Sequence, residues 1–304
     1  MRDKTGLAFS SEPLFSDVES SVVELRDFYY NQFKRHITLL LEQKKSRKVA
    51  SRKGYLNPRV LHRHQFSDNV FQKTIRTEST DTTLIFLIDG SGSMDANSET
   101  PISEQSNRRF SRMNICSAVA SAFAKANHVV LKNQIPVEVF VKSAPAVSGK
   151  SLTGTSNGGM VTLSRVFSSH DKRNDFNTLL GLSCYSPITN GKGNFDGSYT
   201  AEYAVLPALQ KWIKGNVKTK QCIVFNLTDG DSYCSLGAEG FSYGNQHTKE
   251  MRMKYLRGIP NVTLMIDGYE SRKSKLQEMY GDNMVLASDD FSGALFKTFS
   301  GFLT

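Results

Sequence analysis

The chain reads as an α/β protein, a doubly wound and mostly parallel sheet with helices on both faces and a helical N-terminal extension. Three observations predict this. Two short apolar runs, Thr83–Ile88 and Cys222–Leu227, have the length and residue types of strands buried on both faces. Segments with helical spacing lie between and around them. Each run also ends in an acid followed by glycine, Asp89-Gly90 in one case and Thr228-Asp229-Gly230 in the other, which marks a strand end.

The elements follow in order. Residues 17–45 form one amphipathic helix, because Val18, Val22, Leu25, Tyr29, Phe33, Ile37 and Leu40 recur at helical spacing. That apolar stripe requires a partner, either the main domain or another subunit. A basic connector and the segment 54–73 come next, so residues 1–80 are an extension and residues 81–304 the main domain. Within it the pattern predicts a strand at 83–89, a helix at about 107–129 and a strand at 137–143. A Gly/Ser-rich passage at 148–159 leads to a strand at 160–167. A long polar loop spans 184–199, and loops of that kind are more often functional or mobile than structural. A helix at about 200–214 carries Ala204, Leu206, Leu209 and Trp212 on its apolar side. Then come a strand at 221–228, a helix at 247–258, a strand at 261–267, a helix at 272–280, a short strand at 284–287 and a closing helix at 290–302.

Composition bounds the function. The chain has 304 residues, 39% hydrophobic and 22% charged, which suits one α/β domain with a sizeable core and an extension. No apolar run approaches the length of a membrane span, and no signal-peptide core follows Met1-Arg2-Asp3-Lys4. A cytoplasmic location is therefore expected, the host cytoplasm if the protein is viral. The cysteines Cys116, Cys184, Cys222 and Cys234 form no Cys-x-x-Cys pair, which fits a reducing compartment and opposes a zinc site. Cys222 falls in a core strand and reads as a small buried apolar residue.

The net charge of +9 comes from one segment. Residues 34–63 hold ten Lys or Arg and a single acid, Glu42; the rest of the chain balances at 28 basic and 28 acidic residues. Such a cluster attracts phosphate or acidic surfaces. Aromatics are sparse within it, which argues against a stacking platform for single strands.

The chemistry concentrates at the strand ends. Asp89-Gly90-Ser91-Gly92-Ser93 places an acid and two hydroxyls on alternate residues just past a strand. These oxygens suit a hard cation, and Mg2+ binds few protein oxygens while keeping several waters. The two glycines allow a tight turn. Asp229 stands at the mouth of a second strand. Between them, Asn194-Phe195-Asp196-Gly197-Ser198-Tyr199-Thr200 is a polar turn at a helix entrance. All three loops belong to the sheet edge where open α/β folds bind ligands. Asp95 and Asp231 flank them and either support the site or sit in solvent.

Asp-x-Ser-x-Ser after a first strand, Thr on a second loop and Asp on a third resemble the metal-ion-dependent adhesion site of von Willebrand factor A domains, whose fold is Rossmann-like. Asp89, Ser91 and Ser93 match the first element, and Asp229 the third. For the second, Thr200 has the expected spacing to its helix, whereas Asn194-x-Asp196-Gly197 looks like a variant in the cobaltochelatase T subunit (CobT). The likeness to that subunit extends over Gly54–Leu61, Val70–Lys73 and Asp81-Thr82 through Met94. The resemblance implies Mg2+ or Mn2+ held by Asp89, Ser91, Ser93 and Thr200 or Asp196, with Asp229 direct or through water. It further implies a partner carboxylate on an open coordination position. By the same resemblance the partner is a ring-forming AAA+ ATPase of the MoxR/CobS type, acting with this chain on a third, client protein. The chain would then be a non-catalytic subunit of a chelatase-like or remodelling complex. It lacks the long acidic region that usually precedes the domain in that subunit, and small stand-alone versions resemble those of large bacteriophages. Two alternatives stay open, a phage structural or adhesion-type module without an ATPase, and a nucleic-acid-binding protein using residues 34–63.

Other motifs carry little. Ala144–Ser151 ends in Gly149-Lys150-Ser151, but three glycines among the next eight residues oppose the helix that a phosphate loop needs. His62-Arg63-His64 has no Cys or acid at zinc spacing. No Gly-x-Ser-x-Gly elbow and no Cys/His pairing suggests a nucleophile, so no catalytic residue is expected.

Overall fold

The computed structural model describes residues 18–43, 47–51, 55–58, 71–75, 81–98, 110–143, 162–171, 175–182, 202–230, 240–267, 273–281 and 284–286. The chain opens with α1 (Ser20–Gln43) and three short strands, β1 (Arg47–Ser51), β2 (Tyr55–Leu56) and β3 (Phe71–Ile75). The main sheet then alternates with helices. Its elements are β4 (Thr82–Asp89), α2 (Arg112–Leu131), β5 (Val137–Ser143), β6 (Thr162–Ser168), α3 (Glu202–Asn216), β7 (Gln221–Thr228), α4 (Gly240–Tyr255), β8 (Asn261–Met265), α5 (Lys273–Tyr280) and β9 (Met284–Leu286).

Six strands form one sheet in the order β6-β5-β4-β7-β8-β9. Every neighbouring pair is parallel except β5 and β6, which run antiparallel. The α/β class with a mostly parallel sheet is as the sequence predicts. All eight residues of β4 are buried, because both sheet faces are covered. The pleat sends Leu84, Phe86 and Ile88 into the apolar cluster shared with α1 and α2, and Ile85 and Leu87 into the one shared with α3.

The stripe on α1 finds its partner in the main domain. Val22, Leu25, Tyr29, Phe33 and Ile37 are each no more than 4% exposed. Phe33 meets Phe123 of α2 edge-on at 5.5 Å, Phe123 meets Phe86 at 5.5 Å, and Phe86 stacks on Phe225 at 5.5 Å. Lys125 donates to Asp27 at 2.8 Å at the rim. Val18 lies outside this packing; it precedes the helix and is exposed.

Several details differ from the sequence reading. The basic segment between α1 and the main sheet holds a small antiparallel sheet of order β1-β3-β2 rather than a plain connector. On α3 the buried residues are Glu202, Tyr203, Val205, Leu206, Ala208, Leu209 and Ile213, while Ala204 and Trp212 are half-buried. Helix α4 begins at Gly240, seven residues earlier than the periodicity suggests. The closing helix at 290–302, the Gly149-Lys150-Ser151 motif and His62-Arg63-His64 lie outside the described residues. Among the described residues no helix is long and apolar enough to cross a membrane.

The strand order positions the site. From β4 the chain moves outward through β5 and β6, then returns to β7 on the other side of β4 and moves outward again. The carboxyl ends of β4 and β7 therefore flank the topological switch point, where open α/β sheets leave a crevice.

Candidate functional site

Asp89 is the last residue of β4 and is 0% exposed. A buried carboxylate needs hydrogen bonds, and two elements supply them. The backbone N–H of Ser91 donates to Oδ1 at 3.0 Å, and the Thr228 hydroxyl donates to Oδ2 at 2.7 Å. The second bond crosses the switch point, since Thr228 ends β7. Gly90 donates its N–H to the Lys142 carbonyl at 2.8 Å, which ties the turn to β5.

After Asp89 the chain makes a 3₁₀ turn, Gly92–Asp95, anchored by Met94, which is 0% exposed. This turn brings the Ser91 and Ser93 hydroxyls within 2.9 Å of one another. Ser91 is buried and Ser93 exposed, so the pair runs from the floor of the site to its rim. Asp95 is exposed. Residues 96–98 pair with 110–112 through Ser98 N–H to Phe110 O at 2.8 Å and Arg112 N–H to Ala96 O at 3.1 Å. Ser111 then caps α2, accepting from the Asn114 N–H at 3.1 Å.

That cap places Arg112 at the first helical position, and its guanidinium reaches the site. One terminal nitrogen, Nη1, donates to Asp229 Oδ2 at 2.9 Å and to the Ser93 carbonyl at 3.0 Å. Nε donates to Asp267 Oδ2 at 2.8 Å. Asp267 accepts from the Ser98 hydroxyl on its other oxygen at 2.5 Å, and its backbone is left-handed with φ 62°, an uncommon conformation tolerated by Asp.

Burial and the negative charge of Asp89 raise the Asp229 carboxyl above its usual range, against hydrogen bonding by Ser93 and the charge of Arg112. The two acids thus lie close enough to repel, and the Ser93 hydroxyl bonds both to Asp229 and to the Ser91 hydroxyl. Among the described residues no three His, Cys, Asp or Glu side chains converge as a metal group. A cation here would be held by carboxylate plus hydroxyl oxygens, and that donor set fits Mg2+ or Mn2+ and excludes a thiolate or imidazole metal.

The structure brings together four of the six residues singled out from sequence, Asp89, Ser91, Ser93 and Asp229. Thr200 and Asp196 lie outside the described residues, as does Asp231. What is described is the start of the helix after that loop. Glu202, the first residue of α3, is 0% exposed. It receives Lys142 Nζ at 2.6 Å, Arg252 Nη1 at 2.6 Å and Asn226 Nδ2 at 3.0 Å. Desolvation would raise this carboxyl, but Lys142 and Arg252 outweigh it and hold it at about 2. Tyr280 reaches Glu202 at 3.5 Å and donates to the Gly230 carbonyl at 3.1 Å, so one cluster pins both α3 and the turn after Asp229.

Sequence reasoning missed Thr228, Arg112 and Asp267. Thr228 stands beside Asp229, and a hydroxyl at the same strand end was a readable signal. Arg112 carried no such signal, because the periodicity starts this helix at about 107 and so hides its first-turn position. Of the cysteines, Cys116 and Cys222 are buried thiols, and burial pushes the Cys222 thiol up to about 12.

No protein-family model matches this chain, and no curated protein matches it. Solved structures similar to this chain include pilus adhesins. SpaC from Lactobacillus rhamnosus GG is 15% identical with a TM-score of 0.42, over 76% of this chain and 32% of that chain. Its open conformation gives 13% identity, a TM-score of 0.42, and coverage of 76% and 31%. RrgA from Streptococcus pneumoniae is 11% identical with a TM-score of 0.39, over 75% of this chain and 45% of that one. The chain thus spans about a third of SpaC and under half of RrgA. At these values, function has to be argued from the chain's own residues.

Proposed function

We propose that this chain is a metal-dependent protein-binding module of the von Willebrand factor A type. Asp89, Ser91 and Ser93 would hold Mg2+ or Mn2+ together with Thr200 or Asp196 from the second loop, and Asp229 would act directly or through water. The ion would supply an incompletely coordinated positive centre, to which a partner's carboxylate is the best ligand. The observation that carries this reading is the link across the switch point, Thr228 Oγ1 to Asp89 Oδ2 at 2.7 Å, beside two serine hydroxyls 2.9 Å apart. Asp89 is buried and aligned at its strand end, so its ligand geometry needs little reorganisation.

The partner class rests on resemblance. Residues 54–61, 70–73 and 81–94 resemble the cobaltochelatase T subunit, and on that ground the partner is an AAA+ ATPase of the MoxR/CobS type, with a client protein remodelled or loaded by the pair. The chain itself would be non-catalytic. Affinity purification of the tagged full chain from its native cells, in Mg2+ and in EDTA, tests both levels. Co-purification of such an ATPase in Mg2+ alone is the expected result. A metal-dependent partner of another kind keeps the binding module and removes the ATPase. A partner retained in EDTA removes the metal from recognition. Calorimetric titration of MgCl2 or MnCl2 into the protein gives the metal step directly, with binding expected and lost in Asp89→Ala.

A further inference from the structure

We infer that Arg112 is a tethered cation that competes with the divalent ion for Asp229 and so sets the metal concentration at which the site fills. This rests on the metal-site reading above and goes beyond it, since it assigns the threshold to one residue outside the ligand set.

Three observations carry it. The Arg112 guanidinium holds Asp229 Oδ2 at 2.9 Å and the Ser93 carbonyl at 3.0 Å through a single nitrogen. It therefore grips both the third-loop acid and the backbone of a first-loop ligand. The pair is largely buried, with side chains 13% and 11% exposed, so solvent screens it weakly. Finally, Arg112 has a second anchor away from the hydroxyls, Asp267 at 2.8 Å, itself held by Ser98.

The physical consequence follows from charge. A divalent ion bound at Asp89 and the serines would draw on an Asp229 carboxylate that already holds a fixed positive charge at Oδ2. Either the ion shares Asp229 with Arg112, and the two cations repel, or Asp229 turns to the ion and Arg112 keeps Asp267 alone. Both routes make metal binding weaker than in a site with a neutral residue at 112. A guanidinium cannot lose its proton at any ordinary pH, so the competition is permanent and is relieved only by metal concentration or by an incoming anion. A partner's carboxylate brings that anion, which favours ion and partner filling the site together over the ion alone.

The alternative role is a plain strut joining the loops after β4, β7 and β8. Mutants separate the two. MgCl2 and MnCl2 are titrated calorimetrically into the full chain and into three variants, with melting in EDTA as a second readout. Arg112→Gln keeps a hydrogen-bonding group and removes the charge; it should bind Mg2+ at least about tenfold more tightly, although its melting temperature in EDTA falls. Asp267→Asn removes one of the two acids that Arg112 pairs with among the described residues and should weaken Mg2+ binding. Arg112→Lys should restore the weak affinity. A strut would give losses of one sign in all three. Equal or weaker metal binding by Arg112→Gln overturns the inference while leaving the metal site standing. Absence of binding in both wild type and Arg112→Gln overturns the metal reading as well. If Arg112→Gln does not fold, Arg112→Lys decides, because it keeps the charge and loses the guanidinium fork; metal binding there clearly weaker than wild type overturns the inference.

Discussion

Two polar clusters sit at the carboxyl ends of the sheet strands, and they differ in sign. Around Glu202, one buried acid receives two cations, Lys142 and Arg252, plus Asn226. Its carboxyl is driven down to about 2, so the ionised form is strongly preferred. Around Asp89 and Asp229, two acids share a crevice with Arg112, and the Asp229 carboxyl is driven up. The first cluster is closed, with Lys142, Glu202 and Arg252 all nearly excluded from solvent. The second opens outward through Ser93. A cluster whose acid is already well matched has a structural task, here holding the start of α3 and the Gly230 carbonyl. A cluster whose acids still repel is stabilised by further positive charge, which is the property expected of a cation site.

The largest effect should come from breaking the closed cluster. Glu202→Ala strands two buried cations and should cost about 3–5 kcal/mol in urea unfolding. A loss below about 1 kcal/mol would mean that water reaches Lys142 and Arg252, and the contrast between the clusters would fail.

Acid sharpens the same contrast. Glu202 has a folded value of about 2 against an ordinary 4.5. Its contribution is therefore complete above the ordinary value and is lost as pH falls from about 4.5 toward 2, because only the unfolded chain takes up the proton in that window. Asp229 has the opposite sign. Its raised carboxyl costs stability once the pH is above the folded value, and this cost is relieved as pH falls through it. Urea midpoints measured between neutral pH and pH 3 should fall for wild type, and the fall should be shallower in Glu202→Gln. An identical acid slope in that variant would remove Glu202 as its source.

How much of this was legible in the sequence depends on the kind of residue. Strands β4 and β7 were readable almost to the residue, because burial on both faces leaves continuous apolar runs. Asp89, Ser91, Ser93 and Asp229 followed from their places at strand ends. The β1-β3-β2 sheet was hidden, since Arg47, Lys48 and Lys73 blur any period of two. The antiparallel direction of β6 has no signal in its composition. The Arg112–Asp229 and Arg112–Asp267 pairs span 117 and 155 positions, a separation that no local pattern reports. Glu202 looked like an ordinary first-turn acid, favoured by the helix dipole, and only packing against α4 and α5 shows it to be the hub of a buried network.

Smaller effects belong to the open cluster. Without metal, Asp229→Asn should cost less than about 1 kcal/mol, since the lost pairing with Arg112 is offset by the lost repulsion from Asp89. Asp89→Ala should cost about 1–3 kcal/mol, because it leaves the Ser91 N–H and the Thr228 hydroxyl without their acceptor. The more telling readout is the metal response. Wild type should melt at a higher temperature as Mg2+ rises through the millimolar range, by mass action on the folded state. Asp89→Ala should show no such rise, and an equal rise in both would place the ion elsewhere.

The smallest stability change and the finest test come from the serines. Ser93 is exposed and its hydroxyl bonds mainly within the site, to Ser91 and Asp229. Ser93→Ala should leave the metal-free melting temperature nearly unchanged, as surface changes away from the core usually do. Ser91 is buried at 2% exposure, so Ser91→Ala leaves its neighbour one hydrogen bond short and should cost up to about 1 kcal/mol. Each removes one hydroxyl oxygen without changing charge. Metal affinity should therefore fall in both, and the double variant should lose the Mg2+ response while keeping its circular dichroism. If the double variant binds Mg2+ as tightly as wild type, the serines are no ligands. Asp89 and Asp229 would then hold the ion by their charge alone.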